Sequence, residues 1–310
     1  MELDPGAQRV MEYFRASGRP RFETISPAEA RAIFDSTVPE LRPDPAEVAE
    51  VRELSAPGRA GPVRLRYYRG LGARSGPLPA MVYFHGGGWL LGDLESHDGV
   101  CRDIANVAGA VIVSVHYALA PEAKFPRAVE DAAAATRYVI EQARALGIDP
   151  AQVAVGGDSA GGNLAAVMAL MSRDGDLPPL SFQFLIYPVT DMAQTQPSYA
   201  GMAEGYALTT PTMQWFRDHY LRDASDIEDW RASPLRAASL AGVAPAYIVT
   251  AAYDPLCDEA VDYARRLIEA GVPVTHRHLP DQMHGYVSMG RMIPAAFATI
   301  SAAVSHWPRT

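Results

Sequence analysis

The residues best placed to do chemistry lie in Val153-Ala154-Val155-Gly156-Gly157-Asp158-Ser159-Ala160-Gly161-Gly162-Asn163-Leu164-Ala165. A short apolar run leads into a serine bracketed by glycines, and a small-residue helical pattern leads out. Gly-x-Ser-x-Gly at this place suits a nucleophile presented on a sharp strand-to-helix turn. Such a turn strains the serine backbone, so the residues two positions away must be tiny. Gly157 and Gly161 meet that need, because backbone can approach closely where there is no Cβ. The turn also sets Ser159 at a helix N-terminus, where free N–H groups and the helix dipole favour negative charge.

A serine hydroxyl attacks only when a base takes its proton and a third group orients that base. In the α/β-hydrolase arrangement, which this turn resembles, the partners follow in the order acid, then histidine. Asp254 follows the strand-like run Tyr247–Tyr253, at the C-terminal end where sheet-based sites are built. Asp258, four residues on, fits the first turn of a helix. The histidines beyond Asp254 are His276, His278, His284 and His306. His276 and His278 alternate in a strand-like run and share a face; a metal pair would need a third ligand, which the sequence does not offer, and surface histidines are expected. His306 sits near the end of a terminal helix. His284, in the loop Asp281-Gln282-Met283-His284-Gly285-Tyr286, is the base that position favours.

The same chemistry needs donors for a developing oxyanion. His85-Gly86-Gly87-Gly88-Trp89 follows the strand-like Met81–Phe84, and its glycines leave N–H groups free to point at such an oxygen. A phosphate-binding loop is the other reading, but no Walker lysine or dinucleotide fingerprint follows. Ala160, next to the serine, adds a donor. One such N–H is worth ~3 kcal/mol to the transition state.

These residues need a frame. The chain has 310 residues, 48% of them hydrophobic, enough for a large core. Strand-like runs at 63–68, 81–84, 111–115, 153–155, 182–187, 247–250 and 274–279 alternate with helical patterns at 131–146, 162–173, 258–270 and 294–306. That alternation predicts a mostly parallel central sheet with helices on both faces, an α/β fold. Two regions break it. Residues 6–16 and 27–38 read as helices, the second capped by Ser26 with Pro27 at its first position, and Arg42-Pro43-Asp44-Pro45 reads as a connector. Residues 190–233 form a long polar excursion with a helix over 211–221 capped by Thr210, more lid than connection. The expected division is therefore 1–50 as the N-terminal part of a cap and 51–310 as a catalytic domain with a cap insertion at about 190–233. Tyr13, Phe14, Trp89, Tyr206, Trp215 and Phe216 could line a pocket there or serve the core.

The net charge of −9 argues against nucleic acid and anionic membranes as partners. The N-terminal residues lack signal-peptide features, and no apolar run approaches the ~20 residues a membrane span needs. Two cysteines, Cys101 and Cys257, do not make a disulfide framework, so a cytoplasmic setting is expected.

The chain resembles the bacterial hormone-sensitive lipase family of carboxylesterases, within the α/β-hydrolase superfamily. The resemblance rests on an ordered set: His85-Gly86-Gly87-Gly88, Tyr117-Ala118-Leu119-Ala120-Pro121-Glu122, Gly157-Asp158-Ser159-Ala160-Gly161-Gly162, Tyr187-Pro188-Val189-Thr190-Asp191, Ser233-Pro234-Leu235, Asp254-Pro255-Leu256-Cys257-Asp258-Glu259 and His284-Gly285-Tyr286. It implies an α/β-hydrolase fold with a helical cap. By the same resemblance Ser159 is nucleophile, His284 base and acid, Asp254 the residue orienting His284, and Gly86, Gly87 and Ala160 the oxyanion donors. It further implies esters of short to medium acyl chains, no cofactor and no metal, a small-molecule substrate, and a family in which homodimers through a sheet edge occur, although no such edge is identifiable here. Two departures stand out. His116 and Ala118 replace the usual aspartate and arginine, consistent with joint loss of a structural pair, and His116 is expected to be a structural histidine with a partner. Cys257 replaces a common arginine. A non-catalytic receptor on the same fold would lack the histidine, which is present here; an amidase or lactonase would share the triad.

Overall fold

Short β-branched and aromatic runs build one eight-stranded sheet. In chain order the strands are β1 (Glu50–Gly58), β2 (Gly61–Arg69), β3 (Leu78–Phe84), β4 (Val111–His116), β5 (Ile148–Asp158), β6 (Phe182–Ile186), β7 (Ala246–Tyr253) and β8 (Val274–Met283). They lie in the order β1-β2-β4-β3-β5-β6-β7-β8. The β1–β2 and β2–β4 pairs are antiparallel, and every pair from β4 to β8 is parallel. The helices are α1 (Pro5–Ala16), α2 (Pro27–Leu41), α3 (Asp98–Ala108), α4 (Arg127–Glu141), α5 (Ala143–Leu146), α6 (Ala160–Arg173), α7 (Pro197–Gly201), α8 (Thr210–Tyr220), α9 (Cys257–Glu269) and α10 (Ala295–Val304). This is a computed structural model, and it describes residues 2–202 and 205–308. Met1, Arg309, Thr310 and, inside the predicted insertion, Ala203 and Glu204 lie outside the described residues.

The sheet separates two apolar layers. Residues of α4, α6 and α9 pack on one face with Val82, Val113 and Val155. Residues of α1, α3 and α10 pack on the other with Met81, Ile112 and Val249. The strand order reverses at β3: its crossover through α3 leads to β4 on one side, while β5 on the other side continues through α6 to β6. The loops leaving β3 and β5 therefore diverge to opposite faces and open a crevice at their C-terminal ends, the place where open α/β sheets bind ligands.

Local signals explain most boundaries. Ser26 caps α2 with a full capping box to Glu29 and Pro27 at its start. Gly147 closes α5 in the left-handed conformation with φ 69°. The cap of α8 is Thr209 rather than Thr210, for the Thr209 hydroxyl accepts the Thr212 N–H. Three elements carry no sequence expectation of their own: β1, α3 and, inside the insertion, α7. In β1 only Ala56 is buried, so it has no apolar alternation to read. α3 starts after His97, which makes no side-chain cap. Among the described residues no helix is long and apolar enough to cross a membrane.

The glycines around Ser159 are sterically required. A Cβ on Gly157 would come within 2.5 Å of the Gly161 backbone and the Phe84 carbonyl, and one on Gly161 would collide with that same carbonyl. Gly161→Ala is expected to lose about 1–3 kcal/mol of stability or more, as overpacking against rigid backbone does. Urea denaturation measures it against Gly99→Ala, where a Cβ meets nothing within 4 Å. Equal midpoints for the two variants would contradict the steric account.

Candidate active site

Four loops at the C-terminal ends of parallel strands converge on the crevice. Ser159 stands between β5 and α6 with φ 55° and ψ −118°, a positive φ that a non-glycine residue holds only when its surroundings impose it. Those surroundings are visible: the Ser159 N–H donates to Ile186 O at 2.9 Å, and its carbonyl accepts from Asn163 N at 3.0 Å and Val189 N at 3.2 Å. The hydroxyl lies 3.0 Å from His284 Nε2. On the far side of the ring, Nδ1 lies 2.7 Å from Asp254 Oδ2. The other Asp254 oxygen accepts the Leu256 N–H at 2.9 Å. Asp254 is fully buried just past β7, and His284 follows β8, its N–H held by Tyr253 O and its ring against Tyr187 at 4.5 Å. The serine, histidine and acid singled out in the sequence thus form one hydrogen-bonded line.

The glycine loop after β3 departs from expectation at one position. Gly86 is not a free donor: its N–H donates to Asp158 Oδ1 at 3.0 Å. A donor already held by a carboxylate cannot also serve an oxyanion. Gly87, Gly88 and Ala160 are different, since none of their N–H groups has a hydrogen-bond partner among the described residues. Gly87 and Gly88 line the same cavity as Ser159 and His284. Gly88 has φ 59°, and a Cβ there would run into the Phe216 ring.

Asp158, which the sequence offered only as a spacer, anchors this loop. Its carboxylate also accepts from Tyr83 OH at 2.9 Å and lies 3.2 Å from His97 Nε2, while His97 Nδ1 lies 2.9 Å from Ser96 Oγ. Burial opposes ionisation of Asp158, but His97 and the Tyr83 hydroxyl outweigh it and hold the carboxyl below its usual range. His85 is pushed down to about 3, chiefly by burial, and stays neutral, stacked on Tyr117 at 4.4 Å. The signal for Asp158 was a charge inside an otherwise small and apolar turn; His97 gave none.

Other expectations resolve as follows. Asp258 lies in the first turn of α9 and accepts the Ser198 N–H at 2.8 Å, tying α9 to α7. His276 and His278 both reach the Thr250 hydroxyl, at 2.9 and 3.0 Å. Among the described residues no group of three or more His, Cys, Asp or Glu is arranged to hold a metal. His306 is exposed. His116 corrects an expectation: it ends β4, but its buried Nδ1 has no hydrogen-bond partner, so it is not the partnered histidine foreseen. Burial and Arg64 lower its pKa, and it does not line the cavity. Cys257 opens α9, and burial pushes its thiol up to about 12. Glu259 binds the insertion to α9, accepting from Thr190 N at 2.7 Å and Tyr199 OH at 2.9 Å; burial raises its carboxyl to about 8 against those bonds.

The cavity over Ser159 holds ≈140 Å³, walled from above by residues of the first fifty and of the insertion. Phe14 and Phe216 line it, whereas Tyr13, Trp89, Tyr206 and Trp215 do not. Trp89 is a core residue, stacked flat on Tyr220 at 4.3 Å. Arg31 of α2, unremarked in the sequence, pins this roof: it donates to Leu90 O and Ala120 O and makes a two-pronged pair with Glu122 at 2.7 and 2.8 Å.

A family model described as the α/β-hydrolase fold matches residues 81–288, which hold all four loops. The chain belongs to this α/β-hydrolase family. The hydrolase is 41% identical over 295 residues to the carboxylic ester hydrolase LipN of Mycobacterium tuberculosis, covering 93% of this chain and 77% of LipN. It is 39% identical to the carboxylesterase NlhH of the same organism, covering 95% and 92% of the two chains. Among solved structures, an ester hydrolase from the metagenome of Lake Arreo, in complex with a bipyridine phosphonate derivative, superposes with a TM-score of 0.94 at 40% identity, covering 98% and 97%.

Proposed function

We propose that this hydrolase is a serine carboxylesterase that cleaves short- to medium-chain carboxylic esters through an acyl-enzyme. The observation that carries this is the line Ser159 Oγ–His284 Nε2–Asp254 at 3.0 and 2.7 Å, with Ser159 and His284 lining an apolar cavity and Asp254 buried behind them. The relatives named as carboxylic ester hydrolases support the class.

In this reading His284 Nε2 takes the Ser159 proton as Oγ bonds to the ester carbonyl carbon. Charge then develops on the carbonyl oxygen, where the N–H groups of Gly87, Gly88 and Ala160 serve it. As the carbon–alkoxide bond breaks, the imidazolium returns its proton to the leaving alcohol and the acyl group stays on Ser159. Water then enters and loses a proton to His284 as its oxygen bonds to the acyl carbon; the imidazolium returns that proton to Ser159 Oγ as the acyl–oxygen bond breaks, and the acid departs. Asp254, held by Leu256 N–H, keeps the imidazole in the tautomer that accepts at Nε2. These steps use only this chain and water, so the reading requires no cofactor. Residues 1–50 and the insertion at about 190–233 act as the cap that shapes the acyl site.

The cavity volume argues for small acyl groups: ≈140 Å³ is close to the ~150 Å³ that accommodates one benzene ring. A series of 4-nitrophenyl esters is expected to show kcat/KM rising to about four to six acyl carbons and levelling off beyond, since a methylene left outside the apolar site gains none of the ~0.8 kcal/mol that burial gives. Rates that keep rising to sixteen carbons would overturn the acyl-size assignment.

A further inference from the structure

The cavity over Ser159 contains one cation that the hydrolytic steps do not use. Arg19 lies in the turn after α1 and lines this cavity. Its guanidinium carbon sits over the Phe14 ring, 3.4 Å from the centroid, and 6.0 Å from that of Phe22, within cation–π range of both. Arg19 makes no hydrogen bond and no ion pair with any described residue, so its five N–H groups are unspent within the protein. Its neighbour Arg21 is paired with Glu23 at 3.2 Å, and Glu23 also accepts the Thr212 hydroxyl at 2.8 Å. Burial lowers the Arg19 pKa to about 10, which leaves it charged at neutral pH.

Arg19 also lines a second, adjoining cavity together with Arg15, Arg21, Tyr206 and the two threonines Thr209 and Thr212. Three arginines, and no acid among the described lining residues, gather there on a chain whose net charge is −9. Phe14, Arg19, Phe22 and Ala207 belong to both cavities, so Arg19 stands where one opens into the other. A half-buried guanidinium with free donors, on the way to a nucleophile, is a receptor for an anion that the substrate brings.

We propose that Arg19 is a specificity-determining residue that selects esters bearing a second, anionic group, namely a carboxylate several bonds from the scissile carbonyl. The proposal rests on the esterase reading above. With the carbonyl at Ser159, the chain of the substrate lies along Phe14 and the carboxylate meets the Arg19 fork. Arg15 adds attraction at the outer cavity.

The test compares 4-nitrophenyl hydrogen dicarboxylates, from succinate to suberate, with neutral esters carrying methyl in place of the carboxylate, after subtraction of uncatalysed hydrolysis. In the wild-type protein the ratio of kcat/KM, charged over neutral, is expected to peak at the length that spans from Ser159 to Arg19. Arg19→Met should lower that peak ratio about tenfold, the order of one shielded hydrogen bond to a charged group, and chiefly through KM. Arg19→Lys should keep part of it, and Arg19→Glu should lose more than Arg19→Met. A purely structural clamp on Phe14 would move both members of each pair together, so a ratio unchanged at every length overturns the proposal. Neutral esters left intact by the wild-type protein would instead defeat the esterase reading. In that event adipate binding by calorimetry decides: weakening of about tenfold in Arg19→Met supports an anion site, and equal binding overturns it.

Discussion

Ser159→Ala is expected to lower kcat by on the order of 10⁶, with the fold intact. The size follows from what the hydroxyl does in the proposed cycle. Without Oγ there is no acyl-enzyme, and neither His284 nor the glycine loop can replace the bond it forms. What remains is polarisation of the carbonyl by the N–H groups of Gly87, Gly88 and Ala160, acting on water that nothing positions. Alanine meets the turn on the same terms as serine, because the φ of 55° is held by the backbone hydrogen bonds to Ile186 and Val189, which the substitution leaves in place. Stability should therefore change little, and urea denaturation run beside the kinetics separates the two effects. A loss below about a hundredfold would mean that another group carries the nucleophile, since a triad serine has no substitute of comparable strength.

Asp254→Asn is the second large effect, about 10⁴ in kcat. The local hydrogen bonds say why. Leu256 N–H needs an acceptor at the Oδ1 position, so the asparagine carbonyl turns there and its NH₂ faces His284 Nδ1. An amide donor at 2.7 Å forces Nδ1 to accept, which moves the imidazole proton to Nε2. That nitrogen then points a hydrogen at Ser159 and cannot take its proton. The loss should appear in kcat far more than in KM, because Asp254 is fully buried and does not line the cavity. A change of less than about tenfold would show that a different group sets the tautomer, because a wrong tautomer costs far more than that.

What the sequence made legible was local chemistry on strong elements. The elbow around Ser159 could be read because steric demand is written in adjacent glycines, and the structure shows the Phe84 carbonyl pressed against Gly161. Asp254 could be read because it follows a plainly apolar strand, and His284 because it alone of the later histidines follows a strand into a loop, although β8 itself is largely polar. The exact division of labour among the glycines could not, since Gly86, Gly87 and Gly88 look alike in sequence. Which N–H is occupied depends on Asp158, which arrives from β5 and is itself held by Tyr83 and His97 from two other segments. Edge strand β1 escaped for a related reason. Its Glu50, Arg52 and Glu53 face solvent or ion-pair partners, and Pro57 sits where only an edge accepts it. Arg31 and Arg19 carry no motif at all. Their roles exist only once the first forty residues are folded over the crevice, where one finds carbonyls and Glu122 and the other finds Phe14 and an open cavity.

Gly86 becomes the joint that fixes the loop to Asp158, and the donors available to an oxyanion move one residue along, to Gly87 and Gly88. The cap is coupled to that loop by contact, since Phe216 of α8 leaves no room for a side chain on Gly88. The α2 helix is tied to the same region through Arg31 at Leu90 O. In the proposed cycle, acyl selection and oxyanion geometry would therefore share one wall of the cavity.

Capture of the acyl-enzyme decides whether Ser159 is the nucleophile. Rapid mixing with 4-nitrophenyl butyrate should release a burst of nitrophenolate equal to the enzyme concentration when deacylation is slower than acylation. Acid quench and peptide mass spectrometry should then find the butyryl group on Ser159, with none bound in Ser159→Ala. A butyryl group on any other residue, or a full nitrophenolate burst that leaves no butyryl group on Ser159, would contradict the acyl-enzyme reading.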